Sequence, residues 1–297
     1  MSFHNPVLVN KLFNEIPFKK DGIFFDGTAG GGGHLATMIK KSTSGTFYAF
    51  DVDKDALQHV ALRLLSEGFE GDNPYVKKNI TVELHKKNFK YAYELNKKFD
   101  VAILDLGISS YQIDKKAKGF SYKSGVNLDM RMDDTLNADA KTVLNVFNKA
   151  SLINIFMKFA EENKQNSTSL ANLIINCREK KRIESSDELN ELISQIYGSK
   201  KSELQSGLKR IYQAIRITVN DELGSLDLFV HSANEIIASG GYLIVITFHS
   251  LEEKVLNNLV DSRNSFKLLG ILTPDEDEIN SNKRARSAKA HIYRNIK

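Results

Sequence analysis

Three aspartates and a run of glycines carry the chemistry legible in this chain. Residues 23–34 read IFFDGTAGGGGH, an apolar segment that ends in Asp26 and breaks into Gly30, Gly31, Gly32 and Gly33. Glycines at a strand-to-helix junction accept positive φ and present no Cβ, so a small ligand can lie on the backbone beside the positive end of a helix dipole. The next apolar run, FYAFDVD, places Asp51 at its end, and a later one, VAILDLGISS, places Asp105. A carboxylate at the end of the second strand can accept two hydrogen bonds from a ribose diol.

Two cofactor classes compete for such a turn. Gly31, Gly33 and Ala36 fit the G-x-G-x-x-G/A fingerprint of dinucleotide sites. A dinucleotide site must shelter a pyrophosphate, however, and gains nothing from extra carboxylates. Asp26 and Asp105 suit a sulfonium cation and an amine acceptor instead. The pattern therefore favours S-adenosylmethionine, with an NAD-dependent oxidoreductase as the alternative.

The elements that must position these residues follow from periodicity. Apolar runs at 23–25, 46–50, 80–85 and 101–104 alternate with helical patterns near 34–41 and 54–66, which predicts a parallel sheet with its ligand at the carboxyl ends of the strands. From about 139 to 238 there is no strand candidate. Leu170, Leu173, Ile174 and Cys177 repeat at helical spacing, as do Leu208, Ile211, Tyr212, Ile215 and Val219. Ser185 with Glu188 reads as a capping box. The sheet pattern resumes at Gly240-Gly241 with YLIVITF, followed by a helix opening at Ser250 with Glu253 three residues on. The expected organisation is an α/β domain of residues 1–113 and 217–297, interrupted by an all-helical insertion of 114–216.

Composition narrows the class. With 297 residues and 41% hydrophobic side chains, the chain can bury a sizeable core. Cys177 is the single cysteine, which excludes an internal disulfide and a thiolate metal cluster. No apolar stretch approaches the ~20 residues that span a bilayer, and no secretory signal is present, so a cytoplasmic protein is expected. His249 and Glu252 lack a third metal ligand nearby in sequence, and no metal is assigned. The net charge is +4, yet residues 279–297 alone carry Lys283, Arg284, Arg286, Lys289, Arg294 and Lys297 with no acid. That excess reads as a basic tail suited to phosphates. In residues 111–133, Lys115, Lys116, Lys118 and Lys123 interleave with Tyr111, Phe120 and Tyr122, as in surfaces that stack unpaired bases. Asp129, Arg131 and Asp133 can serve simply as an internal ionic brace.

The motifs DGTAGGGGH, AFDVD, KNF at 87–89, LDLGISSYQID, GFSY, LDMRMD, YQAIRITVNDEL, ITFHSLEEKV and KRARS, with the opening HNPVLV, occur in order from His4 to Ser287. Together they resemble the ribosomal RNA small-subunit methyltransferase H family over nearly the whole chain. The resemblance implies a class I, Rossmann-like methyltransferase fold with a helical insertion that recognises substrate. It implies methylation of N4 of a cytidine in the decoding region of 16S ribosomal RNA, within the small subunit. It further implies cofactor contacts at Gly32, Gly33, His34, Asp51, Phe89, Asp105 and Gln112. Tyr111 departs from the family, which has proline between SS and Gln. Two roles are open to Asp105, as a catalytic acceptor of the amine N–H or as a cofactor contact. A non-catalytic RNA-binding protein on the same fold is the remaining alternative.

Overall fold

A computed structural model describes residues 6–108, 118–198, 200–260 and 265–297. The chain divides into two compact units, one of residues 1–107 with 223–297 and the other of 108–222. The helical unit thus begins earlier and ends later than the expected 114–216.

The first unit is built on one eight-stranded sheet. Its elements are α1 (Val9–Glu15), β1 (Ile23–Asp26), α2 (Gly33–Lys41), β2 (Gly45–Asp51), α3 (Lys54–Ser66), β3 (Tyr75–Lys77), β4 (Ile80–Lys86), a 3₁₀ helix (Phe89–Leu95) and β5 (Phe99–Asp105). Beyond the inserted helices the chain returns to the sheet through α9 (Glu222–Ile236) and β6 (Ile237–Thr247), then α10 (Ser250–Leu256) and β7 (Phe266–Leu272). α11 (Glu276–Ser281) and β8 (Lys289–Asn295) complete it. The strand order is β3-β4-β2-β1-β5-β6-β8-β7. The five central strands, β4, β2, β1, β5 and β6, are parallel. Chain order reverses direction at β1, and ligands of such sheets bind at that switch point, outside the carboxyl ends.

The central strands read as continuous apolar runs because both faces are covered. Phe24, Phe47 and Ile103 belong to one core cluster, and their neighbours Phe25, Tyr48 and Leu104 belong to the cluster on the other side. Aromatic stacking locks adjacent strands in each layer: Phe24 on Phe47 at 4.5 Å and Phe25 on Phe99 at 4.9 Å. Asp26, Asp51 and Asp105 are the last residues of β1, β2 and β5.

Two expectations are corrected. The basic tail is no tail: β8 lies inside the sheet, antiparallel to both β6 and β7. Ala290, Ile292 and Tyr293 are buried, and Lys289 and Arg294 are the exposed members of a core strand. The helix after β6 is capped one residue earlier than expected. His249, not Ser250, is its N-cap, and a ring nitrogen replaces the expected hydroxyl as acceptor for the Glu252 N–H. Glu252 accepts in return from the Phe248 and His249 N–H groups at 2.7 and 3.2 Å.

The second unit is helical: α4 (Ala140–Val146), α5 (Lys149–Phe159), α6 (Lys164–Arg178), α7 (Ser186–Tyr197) and α8 (Lys201–Asn220). The two predicted stripes line its core, with Leu170, Ile174, Leu208, Ile211 and Ile215 buried. The Ser185–Glu188 capping box forms as read. Asn145 clamps the backbone of Ile183, donating to its carbonyl at 2.8 Å and accepting its N–H at 2.9 Å. Among the described residues, no helix is long and apolar enough to cross a membrane.

Candidate functional site

The loop after β1 is shaped by its side chains before any ligand enters. The Asp26 carboxylate accepts the Thr28 N–H at 3.1 Å, and the Thr28 hydroxyl accepts the Asp105 N–H at 2.6 Å. Asp51 reaches across from β2, taking the Gly30 N–H on Oδ2 and the Asp53 N–H on Oδ1, both at 2.8 Å. Three strand ends are thereby stitched around one glycine turn. Gly30 and Gly32 adopt φ of +49° and +73°, the left-handed region where a side chain is strained. A Cβ at Gly30 would meet only the Thr28 carbonyl, at 3.7 Å, so the turn presents open backbone. Gly32 is the N-cap of α2, and the guanidinium of Arg63 holds its carbonyl at 3.2 Å.

His34, buried in the first turn of α2, directs Nε2 to the Val7 carbonyl at 3.0 Å. Phe89 opens the 3₁₀ helix, its ring edge-on to Phe229 at 5.8 Å. A Cβ on Gly27 would fall 2.9 Å from the Cβ of Phe89, so the absence of that atom lets the aromatic close on the first loop. Gln112 and Tyr111, with Lys115 and Lys116, lie outside the described residues.

The electrostatics carry the information. Asp26 is 1% exposed, and burial pushes its carboxyl up to about 6; His34 opposes the shift and Asp105 adds to it. Burial likewise pushes Asp51 up to about 6 against the pull of its two backbone donors. Asp105 is raised by burial, with His34 and Arg284 opposing. Among the described residues, Asp26 Oδ2 and Asp105 Oδ1 are buried with no hydrogen-bond partner. Orphaned buried carboxylate oxygens are costly, and they fit a ligand that brings positive charge and N–H or O–H donors. A pyrophosphate brings neither, and a cluster of buried carboxylates would repel it.

Sequence reasoning overlooked Thr28 and Arg63 as positioning residues, because a hydroxyl or guanidinium serving loop backbone leaves no spacing signal. Arg284, assigned there to an RNA tail, acts on Asp105 through its charge. The lysine–aromatic loop is corrected at its described residues. Phe120 is buried in the helical core, and Tyr122 packs edge-to-face on Tyr212 at 6.0 Å. Lys118 pairs with Asp134. The ionic brace is formed by Asp129 and Arg131, through two bonds of 2.9 and 2.8 Å. A third bond runs from the Arg131 guanidinium to the Leu136 carbonyl at 2.9 Å. Asp133 accepts the Thr135 N–H at 3.0 Å.

Comparison with known proteins gives the site its context. A protein of Carboxydothermus hydrogenoformans named ribosomal RNA small subunit methyltransferase H is 36% identical over 308 residues, covering 96% of both chains. One of the same name from Exiguobacterium sibiricum is 36% identical, covering 99% of this chain and 98% of its own. Among solved structures, a putative rRNA methylase from Clostridium thermocellum aligns over 100% of this chain and 99% of its own, at 12% identity and a TM-score of 0.47. Residues 1–296 match the family model described as the MraW methylase family. With a family match over essentially its full length and a class I sheet closing on a glycine turn, the chain belongs to the MraW methylase family of S-adenosylmethionine-dependent methyltransferases.

Proposed function

We propose that this enzyme methylates the N4 amine of a cytidine in the decoding region of 16S ribosomal RNA, within the small ribosomal subunit and hence in the cytoplasm. The relatives' names, which specify small-subunit ribosomal RNA, support the substrate class. The observation that carries the chemistry is Asp105, whose Oδ1 is buried at the end of β5 with no partner among the described residues.

S-adenosylmethionine supplies, when bound, an electrophilic methyl group on a sulfonium for in-line displacement. Gly32, Gly33, His34, Asp51 and Phe89, with Gln112, would hold it, Asp51 by the remaining lone pairs of its carboxylate and Phe89 by its ring. The amine of cytosine is a poor nucleophile because its lone pair is delocalised into the ring. A carboxylate accepting the amine N–H draws that pair out of conjugation and takes the proton once the new C–N bond forms. Burial raises the proton affinity of Asp105 and fits it to this role. We assign recognition of the RNA to the helical unit, which the chain enters at Ile108, directly after the loop that follows Asp105.

The test is mass spectrometry of small-subunit RNA from cells with and without the protein. One cytidine should lose a single N4-methyl group in its absence; an unchanged methylation pattern would refute the assignment.

A further inference from the structure

With Phe120 buried in the helical unit and Tyr122 half-buried against its core, the exposed aromatic residues are elsewhere. Among the described large apolar and aromatic residues that are exposed, the aromatic ones are two, Tyr91 and Tyr93, at 39% and 49%. Both belong to the 3₁₀ helix Phe89–Leu95. The segment around them, residues 86–98, reads KKNFKYAYELNKK, five lysines against one acid. The ammonium of Lys90 lies over the Tyr91 ring, 5.5 Å from its centroid. Exposed tyrosines in water forgo the apolar packing that most aromatic rings find, so their clustering within a cationic segment calls for a partner.

The place in the fold indicates which partner. Lys86 ends β4 in register with Asp51 on β2, so the segment begins at the carboxyl edge where the strand-end aspartates gather. Phe89, the first residue of the same 3₁₀ helix, approaches the loop after β1 at Gly27. Its inward residues anchor it: Ala92 is fully buried, and Phe89 and Leu95 pack against the core. The Asn88 side chain caps it on the Lys90 N–H at 3.0 Å. A fixed inner face and an outer face of tyrosine and lysine match the requirements for single-stranded nucleic acid, in which bases stack on rings while phosphates meet cations.

We propose that Tyr91 and Tyr93, with the lysines of residues 86–98, form a docking surface for single-stranded RNA flanking the nucleotide to be methylated. The inference rests on the RNA methyltransferase reading above. Sequence tolerance is expected of the surface, because every base offers a face to a ring and lysine reads charge alone.

The test measures binding of a fluorescein-labelled 12-nucleotide oligocytidine to the full chain by anisotropy across a salt series, alongside methylation of isolated small subunits. The doubly substituted Tyr91→Ala, Tyr93→Ala protein should bind the oligonucleotide roughly five- to 150-fold more weakly for each base that no longer stacks, with the salt slope unchanged. Tyr91→Phe with Tyr93→Phe should restore binding. Replacing Lys86 and Lys97 by Gln should flatten the log–log salt slope by about 0.7 for every phosphate no longer neutralised. All variants should keep wild-type melting temperature and S-adenosylhomocysteine affinity. If the wild-type protein methylates small subunits and the alanine variant binds and methylates equally well, the docking surface is refuted while the function stands. If the wild-type protein neither binds RNA nor methylates it, the reading beneath the proposal fails first. An alanine variant that binds RNA normally but loses methylation only on assembled subunits would point to a ribosomal protein as the occupant and would overturn the RNA proposal.

Discussion

The hydroxyl of Thr28 accepts the backbone N–H of Asp105 at 2.6 Å, tying the loop after β1 to the last residue of β5. The N–H of Thr28 is itself held by Asp26, so one small residue fixes the spacing between two carboxylates. Thr28→Val keeps the shape and removes the acceptor, leaving the Asp105 N–H unpaired. It should cost about 1–3 kcal/mol of stability in denaturant unfolding and weaken S-adenosylhomocysteine binding in calorimetry. Thr28→Ser should restore both. Wild-type stability in the valine variant would mean that the staple is incidental.

The raised carboxyls predict a pH dependence of the protein without ligand. Asp26 and Asp51 titrate near 6 when folded, against an ordinary value of 3.8. Between those values the folded chain holds protons that the unfolded chain has released, so these two groups lower stability as pH rises from about 4 to 6. Ligand binding runs the other way. The Asp51 carboxylate must be ionised to accept ribose hydroxyls, so affinity for S-adenosylhomocysteine should fall as pH drops below about 6. Asp51→Asn should bind more weakly at neutral pH and lose most of that slope. Calorimetry on either side of the Asp51 titration reads both effects, and an equally steep slope in the asparagine protein would assign the titration to another group.

Asp105→Asn separates chemistry from binding. The amide keeps the size and the backbone bond to Thr28 but cannot take the amine proton. Methyl transfer should slow by roughly a hundredfold or more while S-adenosylhomocysteine affinity changes little. Parallel loss of rate and affinity would make Asp105 a cofactor ligand alone.

The strand-end aspartates were legible in the sequence because an apolar run ending in a carboxylate is a local pattern, and the parallel core needs just such runs. The Ser185–Glu188 cap and the helical stripes were legible for the same reason. What failed was inference from charge. KAHIYRN looks like a solvated basic stretch, yet as a strand it alternates, and Ala290 and Ile292 face one core while Tyr293 faces the other. Phe120 and Tyr122 sit among lysines in sequence, but Phe120 turns into the helical core and Tyr122 packs half-buried against it, since nothing local tells which side of an irregular segment is buried. Thr28 and Arg63 act on loop backbone, a role invisible without coordinates.

Phe120→Ala accordingly tests a packing role. Removing a buried phenylalanine leaves a cavity and should cost about 3–5 kcal/mol, seen as a lower-temperature unfolding transition with S-adenosylhomocysteine affinity retained. A protein of normal stability that had lost only RNA affinity would restore the stacking role that the sequence suggested.

The C-terminal segment gives the last prediction. Deleting residues 283–297 removes β8 from between β6 and β7, exposing two strand edges and the core that Ala290, Ile292 and Tyr293 cover. The truncated protein should therefore fail to fold, seen as loss of a cooperative melting transition and aggregation. RNA contacts of the segment are testable only by point substitution. Lys283 and Arg286 are exposed in the 3₁₀ turn before β8. Replacing both by Gln should leave melting temperature and cofactor affinity unchanged while reducing the salt slope of RNA binding by about 0.7 to 0.9 for each phosphate that these side chains neutralise. A truncated chain that melted cooperatively at the wild-type temperature would contradict the central position of β8. An unchanged salt slope in the doubly substituted protein would confine the role of the segment to the fold.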